Sequence, residues 1–251
     1  MYKLTIITST YNAVNHLPNL IKTIREYKRE WIQWIVVDGE SIDGTIKLLN
    51  DNLDIIDKLI IEKDTGIYDA WNKAIHNIKS NYICFIGSDD NISISYFNEI
   101  ENCINVIKNN VICFKIATFE KDIDNILFEL HSSDYVKPKH FPFNLGFHHQ
   151  GTLFHKSLFE NNTFNIKYKI LGDLAQLTMV YGKLNPIIIK TKEPLYFFNN
   201  GGISSVPQKL ILRYRERIEI IKSIPKNYAY KFFLIFSYKL KIFFSKIKKY
   251  N

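Results

Sequence analysis

Tyr82-Ile83-Cys84-Phe85-Ile86-Gly87-Ser88-Asp89-Asp90 is an apolar run that stops in an acidic turn. A short, unbroken apolar stretch bounded by turn residues reads as a strand buried on both faces. Upstream, the same pattern recurs three times. Residues 4–8, 34–37 and 58–61 are β-rich runs, and each meets a polar cluster: residues 9–12, 38–44 and 64–69. Between them lie helical patterns. Leu17, Leu20, Ile21 and Ile24 share one helical face over residues 15–27, with Pro18 tolerated in the first turn. Residues 45–49 read as a short helix, and Asp64-Thr65-Gly66 opens another that runs to Ile78. Strand alternating with helix at this spacing predicts βαβ units and a mainly parallel sheet. In such sheets ligands bind beyond the carboxyl ends of the strands, where all four polar clusters fall.

The second half is less regular. Residues 111–117, 126–130, 187–190 and 196–198 read as strands, and 152–155 is strand-like. Residues 173–181 and 208–221 read as helices, the latter between Pro207 and Pro225. Residues 134–149 form a loop rich in Pro, Phe and His.

With 251 residues, 46% of them apolar, the chain builds a sizeable core and is not disordered. Three cysteines without a C-x-x-C pair exclude a disulfide framework and a structural zinc site, and fit a reducing cytoplasm. The N-terminal apolar run is too short for a signal peptide, and no stretch of about 18 uncharged apolar residues predicts a spanning helix. The net charge of +8 is local. Eight of the 33 basic residues are lysines after Glu219, where no acidic residue follows, so residues 1–219 carry 25 of each sign.

Adjacent carboxylates at a strand end suit a hard divalent cation, which takes oxygen ligands. Such an ion would neutralise a leaving diphosphate. The dipeptide alone reads more readily as a solvated turn with an N-cap for the next helix, since Asp is common in turns.

Its company changes the reading. Thr8-Ser9-Thr10-Tyr11-Asn12, the stretch from Val37 to Thr45, the stretch from Glu62 to Lys73, and Gly87-Ser88-Asp89-Asp90 resemble, in that order, the glycosyltransferase family 2 enzymes of GT-A fold. Bacterial O-antigen, capsule and exopolysaccharide sugar transferases are of this type. The resemblance spans residues 1–200 and is strongest over 1–95. It implies that Thr8, Thr10 and Tyr11 cradle the base and ribose, and that Asp38 accepts a hydrogen bond from the base. Asp64, Asn72 and Lys73 then lie beside the sugar and diphosphate, with Ser88 and Asp89 on the substrate side. Asp90, with Asp89, would ligate Mn²⁺ or Mg²⁺. The segment from Tyr168 to Leu174 resembles the one that carries the general base, which makes Asp173 the catalytic residue. Many members have a Glu-Asp pair there, whereas this chain has Gly172-Asp173. His149 precedes Gln150, as in related bacterial sequences, and is placed near the diphosphate, the metal or the acceptor. Gly201-Gly202-Ile203-Ser204-Ser205 resembles a late loop of such enzymes.

From Phe232 the tail predicts an amphipathic helix. Phe232, Phe236, Leu240, Phe243, Ile247 and Tyr250 share a face, with six lysines between 231 and 251. That fits a helix lying on an anionic membrane through residues 229–251; packing on the domain or on a dimer mate is the alternative. No recognition motif supports nucleic acid.

The expected organisation is a GT-A α/β domain over 1–205, with a mixed, mainly parallel sheet flanked by helices. Residues 1–95 form its nucleotide-sugar-binding half and 96–205 its acceptor-binding half, and a basic helical extension covers 206–251. The expected activity is inverting transfer from a nucleoside diphosphate sugar, a UDP-sugar by preference, to a glycan or polyprenyl-diphosphate-linked acceptor, at the inner face of the cytoplasmic membrane. A sugar-phosphate nucleotidyltransferase would need a Gly-rich basic loop where Thr10-Tyr11-Asn12 stands, and no G-x-G-x-x-G follows a strand as a dinucleotide oxidoreductase requires. The non-enzymatic alternative is a membrane-bound sugar-nucleotide-binding or scaffold protein.

Overall fold

The computed structural model describes residues 1–120, 122–130, 147–161, 163–199, 209–224 and 228–247. The chain opens with β1 (Leu4–Thr10), α1 (Leu17–Tyr27), β2 (Ile32–Asp38), α2 (Thr45–Asn50), β3 (Lys58–Ile61), α3 (Ile67–Ile75) and β4 (Tyr82–Phe85). This alternation matches the expected one, with β1 and β2 longer and α3 shorter than their patterns. α1 buries Leu17, Leu20, Ile21 and Ile24 and has Pro18 in its first turn, as its periodicity predicts.

Then follow β5 (Asn91–Ile92), α4 (Ile94–Ile104), β6 (Val111–Cys113), β7 (Ile116–Glu120), β8 (Asp122–Leu130), β9 (Thr152–His155), α5 (Gly172–Met179), β10 (Pro186–Ile188) and β11 (Tyr196–Asn199). The last helices are α6 (Leu210–Ser223) and α7 (Tyr228–Ile247). The sequence reading supposes a helix after the acidic turn but gives no bounds to the stretch that forms α4. Its Ile, Asn and Ser residues are weak helix formers, and tertiary packing of Tyr96, Phe97, Ile100 and Cys103 carries it.

The large sheet has the order β10-β6-β9-β4-β1-β2-β3. β9 runs antiparallel to both β4 and β6, and the other pairings are parallel. A smaller sheet has the order β5-β11-β7-β8.

The strand expected over residues 111–117 is in fact two. β6 joins the large sheet and β7 the small one. The break comes where Gly151 crosses. Its backbone is left-handed, with φ +69°, and a Cβ there would lie 2.4 Å from Ile116 Cγ2. Its carbonyl accepts from the Phe114 N–H at 3.2 Å. Two chain segments pass too closely at this point for one straight strand.

Alternate residues of the central strands feed two cores. Leu4, Ile6, Trp34 and Val36 pack with α1 and α4. Ile7, Ile35 and Val37 pack with α3, α5 and Ile220 of α6. Burial on both faces is why these strands carry apolar residues toward both rather than in strict alternation. α6 therefore contributes to the core, although its sequence places it in the basic extension. Residues 134–146 of the loop expected over 134–149, and the loop expected over 201–205, lie outside the described residues.

Candidate active site

One cavity of about 320 Å³ opens beyond the carboxyl ends of β1 and β4. Tyr11, Asn12 and His16 line it from the loop after β1, and Tyr68 and Trp71 from α3. Residues 85–90 contribute from β4 and its turn, and Phe198 and Asn199 from β11. His149, Lys169 and Asp173 complete it. Of the residues singled out in the sequence, Tyr11, Ser88, Asp89, Asp90, His149 and Asp173 share this cavity.

The turn after β4 folds two carboxylates over one glycine. A Cβ on Gly87 would lie 2.7 Å from Asp90 Oδ2 and 3.1 Å from Asp89 Oδ1, so only glycine leaves them room. The Gly87 N–H donates to Asp90 Oδ2 at 2.9 Å. The Tyr196 hydroxyl donates to the same oxygen at 2.5 Å, and the Asn199 N–H to Asp90 Oδ1 at 3.2 Å. Burial nonetheless pushes the Asp90 carboxyl up to about 6, helped by the charge of Asp89 and opposed by the Tyr196 bond. Burial also raises Asp89. Both groups thus favour a compensating positive charge. Among the described residues no cluster of three His, Cys, Asp or Glu side chains could hold a metal alone. Two carboxylates are the protein share expected for a hard cation that completes its shell with diphosphate oxygens and water. The Asp89–Asp90 pair fits that group.

Asp173 lies in the first turn of α5, and the N-cap position belongs to Leu171, which makes no side-chain cap bond. Asp173 is therefore not the helix cap. The Tyr68 hydroxyl sits 2.7 Å from the Ile170 carbonyl and 3.1 Å from Asp173 Oδ1, and can donate to either. The departure at Gly172 has a steric cause. A Cβ there would meet the Tyr68 ring at 2.6 to 2.8 Å, so the glutamate of the resembling pattern has no room.

His149 is 7% exposed. Its ring stacks on Trp71 at 5.1 Å and on Phe154 at 5.1 Å. Its Nε2 has no hydrogen-bond partner. Burial lowers its pKa against the opposing pull of Asp173. The imidazole is thus neutral near pH 7, and its ring forms part of the cavity wall while Nε2 is enclosed in the packing.

The remaining candidates do not reach the cavity. Thr8 is buried and accepts from Trp34 Nε1 at 3.1 Å. Asp38 is fully buried and takes three donors: the Thr10 hydroxyl at 2.7 Å, the Ser41 N–H at 2.7 Å and the Ser41 hydroxyl at 2.7 Å. These bonds tie β1 to the turn after β2, and so anchor Tyr11 rather than face the cavity. Asp64 caps the Gly66 N–H at 2.8 Å, and a Cβ on Gly39 would lie 2.6 Å from its Oδ2 and 3.3 Å from the Tyr11 ring. Asn72 spends both ends of its amide on the Phe164 backbone, each at 2.8 Å. Lys73 donates to the Lys63 carbonyl at 2.7 Å. Long side chains satisfied by nearby backbone are drawn off a site that their sequence position suggests.

Sequence reading missed Tyr68, Trp71, Lys169, Tyr196 and Glu216. Lys169 lines the cavity and donates to the Thr65 carbonyl at 2.7 Å. The carboxylate of Glu216 accepts from the N–H groups of Lys169, Ile170 and Leu171 at 2.6, 3.1 and 2.8 Å. Tyr68 and Trp71 stand in a quoted motif and were legible as its apolar face. Lys169 stands in the quoted segment from Tyr168 to Leu174, while Tyr196 and Glu216 carry no local signal.

Solved structures share this architecture. S. aureus TarS 1–349 in complex with UDP-GlcNAc superposes with a TM-score of 0.67 at 15% identity, over 94% of this chain and 71% of that one. The mannosyltransferase PcManGT from Pyrobaculum calidifontis, in complex with GDP-Man and Mn²⁺, gives 0.60 at 16%, over 90% and 66%. The fold is that of the GT-A proteins, an α/β sheet, mostly parallel, flanked by helices. The glycosyl transferase family 2 model matches residues 5–170, and the chain belongs to that family. It is 25% identical over 186 residues to a PGL/p-HBAD biosynthesis glycosyltransferase of Mycobacterium tuberculosis, covering 67% of this chain and 66% of that protein. It is 28% identical over 97 residues to a teichoic acid poly(glycerol phosphate) polymerase of Staphylococcus epidermidis, covering 37% of this chain and 14% of the polymerase.

Proposed function

We propose that the chain is an inverting glycosyltransferase. It moves a sugar from a nucleoside diphosphate sugar, a UDP-sugar by preference, to a glycan or polyprenyl-diphosphate-linked acceptor in cell-surface polysaccharide synthesis. The observation that carries this reading is a single cavity lined by both the Asp89–Asp90 turn and Asp173. The relative solved with UDP-GlcNAc supports the donor class, and the one solved with GDP-Man and Mn²⁺ supports a metal. The relatives named for teichoic acid and PGL/p-HBAD support a surface product.

In a single displacement the acceptor oxygen bonds to the anomeric carbon as the bond from that carbon to the diphosphate breaks. The acceptor proton passes to a carboxylate oxygen of Asp173, and the diphosphate leaves with the bonding electrons. Tyr11, held by the Thr10–Asp38 bond, offers a ring to the base. Asp90, with Asp89, would hold Mn²⁺ or Mg²⁺, which when bound neutralises charge on the departing diphosphate. Lys169 offers a cation to the same space, and the neutral His149 ring forms part of its wall. The test is release of sugar from a panel of nucleotide sugars with Mn²⁺ or with EDTA. Asp90→Ala should abolish metal-dependent release. No turnover of any donor by the intact chain would favour the scaffold alternative.

The same reading puts the acceptor at an anionic membrane surface, on the cytoplasmic side. α7 supports it. Phe232 and Phe236 are 74% and 52% exposed, and Leu240 and Phe243, also exposed, continue the row. Tyr238, on the other side, packs on Tyr214 of α6 at 5.6 Å. Among the described residues no helix is long and apolar enough to cross a membrane, so the aromatic row suits lying on a surface.

A further inference from the structure

We propose that Glu216 is the positioning residue of the catalytic base. This inference rests on Asp173 being that base.

Glu216 is 5% exposed, and its carboxylate gathers three consecutive backbone N–H groups, those of Lys169, Ile170 and Leu171. Its Oε1 takes the first and its Oε2 the other two. The partners lie 45 to 47 residues away in sequence, so α6 reaches back to grip one short loop. That loop runs directly into Gly172 and Asp173. α5 begins there with no side-chain cap bond at Leu171, and Glu216 fixes the three residues that lead into it.

The loop is gripped on its other side as well. The Tyr68 hydroxyl reaches both the Ile170 carbonyl and Asp173 Oδ1. The Tyr68 ring fills the space where a side chain at 172 would go. Asp173 is therefore placed by two distant elements, α3 and α6, with only one glycine between grip and carboxylate. Lys169, at the other end of the grip, lines the cavity. The next residue of α6 adds to the case: the charges of Arg217 and Asp173 attract one another.

The chemistry requires a carboxylate here. All three partners are donors, and an ionised carboxylate is acceptor-only with room for about four bonds. A glutamine of the same shape keeps one acceptor oxygen and turns an amide N–H₂ toward a backbone N–H. The loop then loses at least one bond without any change of volume.

A residue that only holds the fold together predicts something different, and the test separates the two. Full-length Glu216→Gln is compared with wild type, with Glu216→Asp, and with Ile220→Ala, which thins the core one turn along the same helix, in the cluster that also holds Ile170 and Leu171, without removing any hydrogen bond to the loop. Turnover is read as hydrolysis of whichever of UDP-glucose, UDP-galactose and UDP-N-acetylglucosamine is cleaved fastest, with water as acceptor. Glu216→Gln should lower kcat at least tenfold, with KM for the donor and affinity for UDP within twofold of wild type. Amide hydrogen exchange over residues 169–171 should quicken. Glu216→Asp should fall between and carries the same test if the Gln variant does not fold. Ile220→Ala should lower the melting temperature with kcat within twofold.

Unchanged kcat in both Glu216 variants, unchanged exchange at 169–171, or an equal kcat loss in Ile220→Ala would overturn the inference. Asp173→Asn run beside them keeps the two readings apart. If it still turns over, the base assignment fails and takes this inference with it. If it is dead while Glu216→Gln is fully active, only the role of Glu216 falls.

Discussion

The Tyr196 hydroxyl donates to Asp90 Oδ2 at 2.5 Å across 106 residues of sequence. The small sheet thereby reaches the acidic turn of the large one, and Asn199 on the same strand adds a second bond. A hydrogen bond to a buried charged group contributes about 1.5–3 kcal/mol. Tyr196→Phe keeps the ring and removes the donor, so stability should fall by about that amount. Asp90 should also be less well oriented, and outer-sphere partners of this kind typically cost roughly 10- to 100-fold in metal affinity. Mn²⁺ titration of the thermal stabilisation given by UDP measures both. Wild-type Mn²⁺ affinity in Tyr196→Phe would count against Asp90 as a ligand.

Gly172 and Tyr68 exclude one another's volume. A methyl group at 172 would sit 2.6 Å from the Tyr68 ring. Gly172→Ala should cost about 1–3 kcal/mol, the usual range for overpacking. It should also push Asp173 off its place, and misplacement of about 1 Å can cost on the order of 100-fold in rate. Combining it with Tyr68→Leu should recover part of the melting temperature but not the rate, since the hydroxyl beside Asp173 is gone. A Gly172→Ala variant with both properties intact would show that the ring has room to move.

His149 gives the stability curve a pH signature. Burial lowers its folded pKa, so between that value and the unfolded value near 6.5 the unfolded chain binds more protons. Its contribution is therefore complete above about pH 6.5 and is lost as pH falls toward the folded pKa. His149→Phe keeps an aromatic ring against Trp71 and Phe154 and removes the titrating nitrogen. Its melting temperature should fall less than that of wild type between pH 7 and pH 5. At pH 7 its kcat/KM should stay close to that of wild type, because Nε2 is enclosed and the ring that walls the cavity is kept. Parallel stability curves would remove His149 from the pH response, and a large drop in kcat/KM would show that Nε2 reaches the substrate.

What was legible in the sequence follows from the range of the forces involved. The first four strands were readable because each is a local apolar run, set by burial on both faces in β1, β2 and β4 and by half-burial in the edge strand β3 (Lys58–Ile61), which has the bounds its pattern gives. The Asp89–Asp90 turn and Asp173 were readable because each stands in a short local pattern at an element end. Glu216 and Tyr196 were not, since each acts on a partner 45 or more residues away and its own neighbours look ordinary. Asn72 and Lys73 looked available because sequence does not show that the Phe164 and Lys63 backbones occupy them. The stretch from 111 to 117 read as one strand because its apolar pattern is unbroken, while the break is imposed from outside by Gly151.

The α7 row Phe232, Phe236, Leu240 and Phe243 is exposed, while Lys241 lies 4.9 Å from the Tyr238 ring on the side toward α6. Lys239 is exposed beside the row, and the lysines at 246, 248 and 249 follow it in sequence. Each lysine near an anionic surface contributes on the order of 1 kcal/mol, and apolar insertion adds to it. Binding to vesicles of phosphatidylglycerol and phosphatidylcholine should therefore exceed binding to phosphatidylcholine alone, and weaken as salt rises. Phe232→Ser with Phe236→Ser should reduce it at least tenfold, and deletion of residues 229–251 should remove it. Neither change touches the cavity, so metal-dependent donor hydrolysis should persist in both. A dimer mate covering the same row would give a different result: a concentration-dependent mass that collapses in the double variant, with vesicle binding absent in wild type. That outcome would assign the aromatic row to a protein interface and take the acceptor off the membrane.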